Sequence, residues 1–90
     1  MNMLEELMKR GYSLKLSGTW YLACAANMER KASRPLMTSK EVYPAIAKAA
    51  GTTPQAVEKS IRDSIKRVEP DRTNTEVIRE LGWMNRQYED

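Results

Sequence analysis

Residues 43–68 leave little room for anything but two helices joined by a tight turn. Ile46, Ala47 and Ala50 recur at helical spacing and are expected to face the core, and Gly51 follows them. Glycine takes the left-handed conformation that ends a helix without a Cβ clash. Thr53 is a capping residue type, and Pro54 suits the first turn of a new helix, where a missing N–H costs nothing. That second helix is expected over about residues 54–68. Val57, Ile61, Ile65 and Val68 lie three or four apart and share one side. Gln55, Lys59, Arg62 and Lys66 lie three or four apart on the opposite side, with Glu58 at its edge. A helix-turn-helix uses this arrangement to lay a reading helix in the DNA major groove. An ordinary amphipathic helix with a solvated charged face has the same pattern. The short turn and the strong cap signals weigh toward the first reading.

The net charge is +3, unevenly spread. Residues 1–37 and 38–68 each carry six Lys/Arg against three Asp/Glu, whereas residues 69–90 carry three against six. A basic body with an acidic end suits a nucleic-acid face on one side, and equally suits two copies meeting head to tail.

Composition removes several function classes. Histidine is absent, which takes away the usual general base and the commonest metal ligand. No cluster of Cys, Asp and Glu has metal-site spacing, so no metal or cofactor is expected. Without histidine no nucleophile, base and orienting group can be assembled, so the chain is not expected to be an enzyme. Cys24 is the lone cysteine, which rules out an intrachain disulfide; within Trp20–Ala26 it is expected to be a small buried residue. No apolar run approaches a membrane span and no signal-like segment precedes the first helix, so a cytoplasmic protein is expected.

Ninety residues make one small domain, expected to span 1–90. Phe is absent, so tryptophan, tyrosine and methionine must supply the large side chains; the six methionines could line a soft partner surface, but core filling is their expected role. Met3–Arg10 carries an apolar stripe of Leu4, Leu7 and Met8 and stops at Gly11. Tyr12–Ser17 alternates, but nothing else in the chain alternates convincingly to pair with it, so it is an extended connection. A helix is expected over Thr19–Lys31, with Trp20, Leu22, Ala23, Ala25 and Ala26 inward. A loop follows through Met37. Thr38 and Glu41 stand at the reciprocal positions of a capping box, and Pro44 predicts a kink or a fresh helix start. After Glu69–Arg72, Thr73 or Asn74 caps a last helix from about Thr75 to Tyr88, with Val77, Ile78, Leu81 and Met84 inward. Gly82 weakens that helix by roughly 1 kcal/mol relative to alanine. The fold class is therefore all-α: a small bundle of about five helices containing a helix-turn-helix.

These segments, in their order and spacing, resemble one family: the DNA-binding effector domain of the stage-zero sporulation protein A, the master response regulator of sporulation. Leu7–Gly11 falls at that domain's first helix and glycine stop. Gly18–Leu22 matches its Gly-x-x-Tyr-Leu lead-in to the next helix. Val42–Lys48, Thr52-Thr53 and the run Val57, Glu58, Ile61, Arg62, Ile65 match its helix-turn-helix. Thr73, Asn74, Glu76 and Ile78 match the start of its last helix.

The resemblance implies a sequence-specific transcriptional regulator that binds double-stranded DNA through residues 54–68. The expected DNA-binding residues are Thr53, Gln55, Glu58, Lys59, Arg62, Asp63, Lys66 and Arg67. Glu58 and Arg62 match family residues on the reading face. Lys59 stands where the family has arginine, keeping the charge but losing the bidentate fork. Ala56 stands where the family has a base-reading arginine, and Asp63 where it has a histidine. The chain begins where the effector domain begins, which implies a stand-alone effector that works without phosphorylation. The connection from Val68 to Thr73 is shorter than the family's, which holds a helix linked to RNA polymerase contact; that contact is expected to be weakened, and repression favoured over activation. A homodimer on adjacent sites is expected, with Thr75–Tyr88 (Glu76, Glu80, Trp83, Met84, Tyr88) between copies. Ala56 and Asp63 also support an alternative: a protein-interaction module that keeps the fold and modulates another regulator.

Overall fold

The computed structural model describes the backbone of residues 2–89 and the side chains of residues 2–84. Five α-helices follow in order: α1 (Met3–Arg10), α2 (Ser17–Lys31), α3 (Tyr43–Ala50), α4 (Pro54–Val68) and α5 (Asn74–Glu89). No strand occurs among the described residues, so the fold is all-α, and the alternating segment after Gly11 is a turn leading into α2. α2 lies at the centre and packs against each of the other four helices. Its buried side chains Ala23, Ala25 and Ala26 let these neighbours approach closely. Leu7, Leu22, Ile61, Ile65, Ile78 and Leu81 are fully buried, each worth about 1.5–3 kcal/mol in apolar burial.

The helix ends are explained by local chemistry. Asn2 caps α1, its side-chain oxygen accepting the Glu5 N–H at 2.8 Å, and Gly11 closes it at φ 100. Thr73 caps α5: its hydroxyl accepts the Glu76 N–H while the Glu76 carboxylate accepts the Thr73 N–H, both at 3.2 Å. α3 starts afresh at Tyr43-Pro44, as Pro44 predicts.

Gly82 has a packing role that its low helix propensity conceals. A Cβ there would stand 3.0 Å from Glu29 Cβ and 3.1 Å from the Ala26 carbonyl oxygen. The glycine that weakens α5 by itself eases its close packing against α2.

Several expectations are corrected. Trp20 is turned outward and 48% exposed, and Cys24 is exposed rather than buried. Ala50 is also exposed. Alanine occupies so many positions of α2 and α3 that hydrophobic spacing could not choose the buried face. Met3 fills the core as expected, but Met8 and Met37 are exposed; Met1 lies outside the described residues. Thr38 does not cap a helix. Residues Thr38–Val42 form a π-helical turn with Met37 at its N-cap position, and the Thr38 hydroxyl pairs with that of Thr75 at 3.0 Å. Glu41 supplies half of the expected box, accepting the Met37 N–H at 2.7 Å. Its carboxylate also takes the Arg34 fork at 2.6 and 3.0 Å. That pairing, with the Met37 amide second, draws the Glu41 carboxyl down to about 2.

Candidate nucleic-acid interface

α3, the turn at Gly51 and α4 form the two-helix unit. Gly51 adopts φ 70, and the Thr52 amide donates back to the Ala47 carbonyl at 2.9 Å. The Thr53 hydroxyl accepts the Ala56 N–H at 3.1 Å and caps α4. Thr53 thus has a structural task in addition to its expected place at the interface. α4 ends where the Glu69 amide donates to the Ile65 carbonyl.

The two faces of α4 separate as the periodicity predicts. Val57, Ile61 and Ile65 are buried, and Val68 packs at the edge of the core. Gln55, Lys59, Arg62, Asp63, Lys66 and Arg67 are exposed, with Glu58 half-buried at the margin. Gln55, Lys59, Arg62 and Lys66 form one continuous stripe. Asp63 and Arg67 lie on the flank of α4 nearest the start of α2. Arg62 pairs with Glu58 at 3.2 Å, one turn earlier. That bond holds the guanidinium over the middle of the stripe and competes with any acceptor it would meet there.

The other flank of α4 borders a shallow groove, closed by the π-helical turn and the start of α5. Its floor is pinned by Asn74, whose side-chain amide donates to the Tyr43 hydroxyl at 2.9 Å and to the Glu58 carbonyl at 3.2 Å. One side chain thus fastens α5 to both α3 and α4. Burial pushes the Tyr43 phenol above its ordinary range, and the Asn74 hydrogen bond opposes that shift. Sequence reasoning found Asn74 only as a candidate cap. Its bridging role joins residues 16 and 31 positions apart, which no local pattern signals.

Behind the interface lies a charged junction. Arg10 reaches Glu80 at 2.7 Å and Glu69 at 3.5 Å. Arg72 reaches Glu80 at 3.0 Å and Glu69 at 3.3 Å. The Tyr12 hydroxyl donates to Glu69 at 2.6 Å, and burial, with this bond second, raises the Tyr12 phenol well above its usual range. Arg72 first, against the opposing effect of burial, holds the Glu80 carboxyl below its usual value. Of the residues expected between two copies, Glu80 is thus engaged within the chain, and Met84 takes an Arg10 contact at its sulfur. Trp83 is exposed, and the Tyr88 side chain lies outside the described residues.

No group of three or more His, Cys, Asp or Glu among the described residues could hold a metal ion. No described helix is long and apolar enough to cross a membrane.

Residues 3–89 match the family model described as the C-terminal domain of the sporulation initiation factor Spo0A. The chain belongs to this family. The family is the DNA-binding domain of a sporulation response regulator, a kind of transcription factor and not of enzyme. No curated protein and no solved structure matches the chain.

Proposed function

We propose that residues 1–90 act as one sequence-specific DNA-binding unit of a transcriptional regulator, with α4 lying in the major groove. The observation that carries this reading is the exposed stripe of Gln55, Lys59, Arg62 and Lys66 on a helix capped at Thr53, in a chain of a DNA-binding family. Gln55, Glu58, Lys59 and Arg62 occupy the N-terminal and middle turns, the part of a reading helix that faces base edges. Gln55 suits adenine and Arg62 the edge of guanine. Lys66 and Arg67, a turn further on, suit phosphates. One helix-turn-helix reads a short site, so two copies on adjacent sites would supply the affinity that one lacks. Fluorescence anisotropy with a random-sequence duplex at two salt concentrations tests the reading: binding should be measurable at low salt and fall steeply at high salt. Failure to bind any duplex at low salt defeats it.

One observation favours the alternative, a protein-interaction module. Trp20, Cys24, Met28, Ala45 and Ala49 line an apolar groove between α2 and α3. The same titration decides between the two, since a pure protein-interaction module would show no salt-dependent duplex binding.

A further inference from the structure

The start of α2 abuts α4 along a small cleft lined by Ser17, Gly18, Ser60, Asp63, Ser64 and Arg67. Two independent features of this cleft call for a ligand. The first is the helix end. α2 is 15 residues long, no side chain caps it, and its first turn holds no acidic residue. The Ser17 and Gly18 amides donate to no group among the described residues. The second is Ser64. It is only 3% exposed, yet its hydroxyl makes no hydrogen bond among the described residues while it faces the cleft. The oxygen is not sealed off, so the small exposed part of this residue includes a hydroxyl open to the cleft. Gly18 makes the approach possible, because a Cβ there would overlap the Ser60 carbonyl oxygen and Ser64 Oγ.

We propose that this cleft binds one phosphodiester of the DNA duplex, through the Ser17 and Gly18 amides, the Ser64 hydroxyl and the Arg67 guanidinium. The inference rests on the reading of α4 as the DNA-binding helix. The chemistry is that of an anion at a helix N-terminus, where free N–H groups and the helix dipole both favour negative charge. Arg67 adds a charge-assisted donor. Asp63 lines the same cleft and its carboxylate opposes the anion. The site is therefore weaker than its donors alone would make it. A phosphate held by the end of one helix and the flank of another fixes how far α4 rotates in the groove; phosphate contacts set register in this way without reading sequence.

The test uses anisotropy with the whole chain, comparing Ser17→Glu and Asp63→Asn with the unaltered protein. A second set of duplexes carries one neutral methylphosphonate at successive backbone positions. Ser17→Glu places a carboxylate in the first turn of α2, which favours the helix, so the melting temperature should hold or rise. Duplex affinity should nevertheless fall about tenfold, whereas Asp63→Asn should tighten binding about threefold. Both effects should vanish on the one duplex whose methylphosphonate removes the bound phosphate's charge. If Ser17→Glu binds within about twofold of the unaltered protein, or loses equally on every duplex, the cleft does not hold a phosphate although α4 still binds DNA. If the unaltered protein binds no duplex, the reading of α4 falls and this inference with it.

Discussion

At the junction of α1, α5 and the turn before α5, Arg10 and Arg72 meet Glu69 and Glu80 within 3.5 Å. On the outer face of α4, Lys59, Lys66 and Arg67 meet no carboxylate among the described residues, and only Arg62 is paired. The difference shows that a count of charges along a chain does not reveal which are available. Residues 69–90 are acidic on balance, which suggested a surface for a second copy. Two of their carboxylates, Glu69 and Glu80, are instead partners of an arginine from α1 and of Arg72. Lys59, Lys66 and Arg67 stay in solvent, the state in which cations can neutralise DNA phosphates and release the counterions condensed on them.

The sharpest way to break this contrast is to remove one charge from each region. Glu69→Ala should destabilise the fold by about 2–3 kcal/mol, because the buried Tyr12 hydroxyl and two arginines lose an acceptor together. Lys66→Ala should change stability by less than about 0.5 kcal/mol. Thermal unfolding of both variants checks this; equal losses would mean the two regions do not differ.

Next in size is the salt response. With Lys59, Lys66 and Arg67 all changed to alanine, the melting temperature should stay put. Each phosphate contact contributes a slope of about −0.9 in log K against log salt. The variant should therefore lack roughly forty-fold of the affinity change seen between about 50 and 200 mM salt. Titrations of both proteins at the two concentrations measure it.

A smaller effect separates positions within the stripe. Arg62→Ala should cost about 1–3 kcal/mol of discrimination between a selected site and random duplex. Lys66→Ala should weaken both alike. Competition binding with the two duplexes reads the difference, and parallel losses for Arg62→Ala would place it on the backbone.

The smallest expected effect concerns acid. Glu80 is held below its usual carboxyl range first by Arg72, Glu76 first by the Thr73 hydroxyl, and Glu41 is drawn to about 2 by Arg34. A carboxyl depressed on folding adds stability that is complete above its unfolded value, 4.5, and lost as pH falls through the folded one. Melting temperature should therefore be level from about pH 7 to 5 and decline from 4.5 toward 2. Glu80→Gln should shallow that decline. A profile unchanged by Glu80→Gln would show that the junction contributes nothing through ionisation.

Much of the candidate interface was legible because it is a local matter. A glycine before two threonines and a proline specifies where α3 stops and α4 starts, through backbone conformations and caps that depend on neighbours in sequence. The two faces of α4 followed from period alone, since branched apolar residues stand opposite charged ones. The buried faces of α2 and α3 were less legible. Alanine fits inside and outside equally well, so Trp20, Cys24 and Ala50 were placed inward and proved exposed.

What the sequence by itself determined is the set of helices, their ends and the amphipathic character of α4, because hydrogen bonding, capping and side-chain period act within a few residues. Tertiary structure alone decided which charges stay free, because Arg10 finds Glu80 seventy positions away only once α1 and α5 have packed on α2. It decided the meaning of two glycines as well. Gly82 and Gly18 are weak helix residues in isolation; Gly18 becomes a requirement where α4 comes too close for a Cβ, and Gly82 relieves a tight contact with α2.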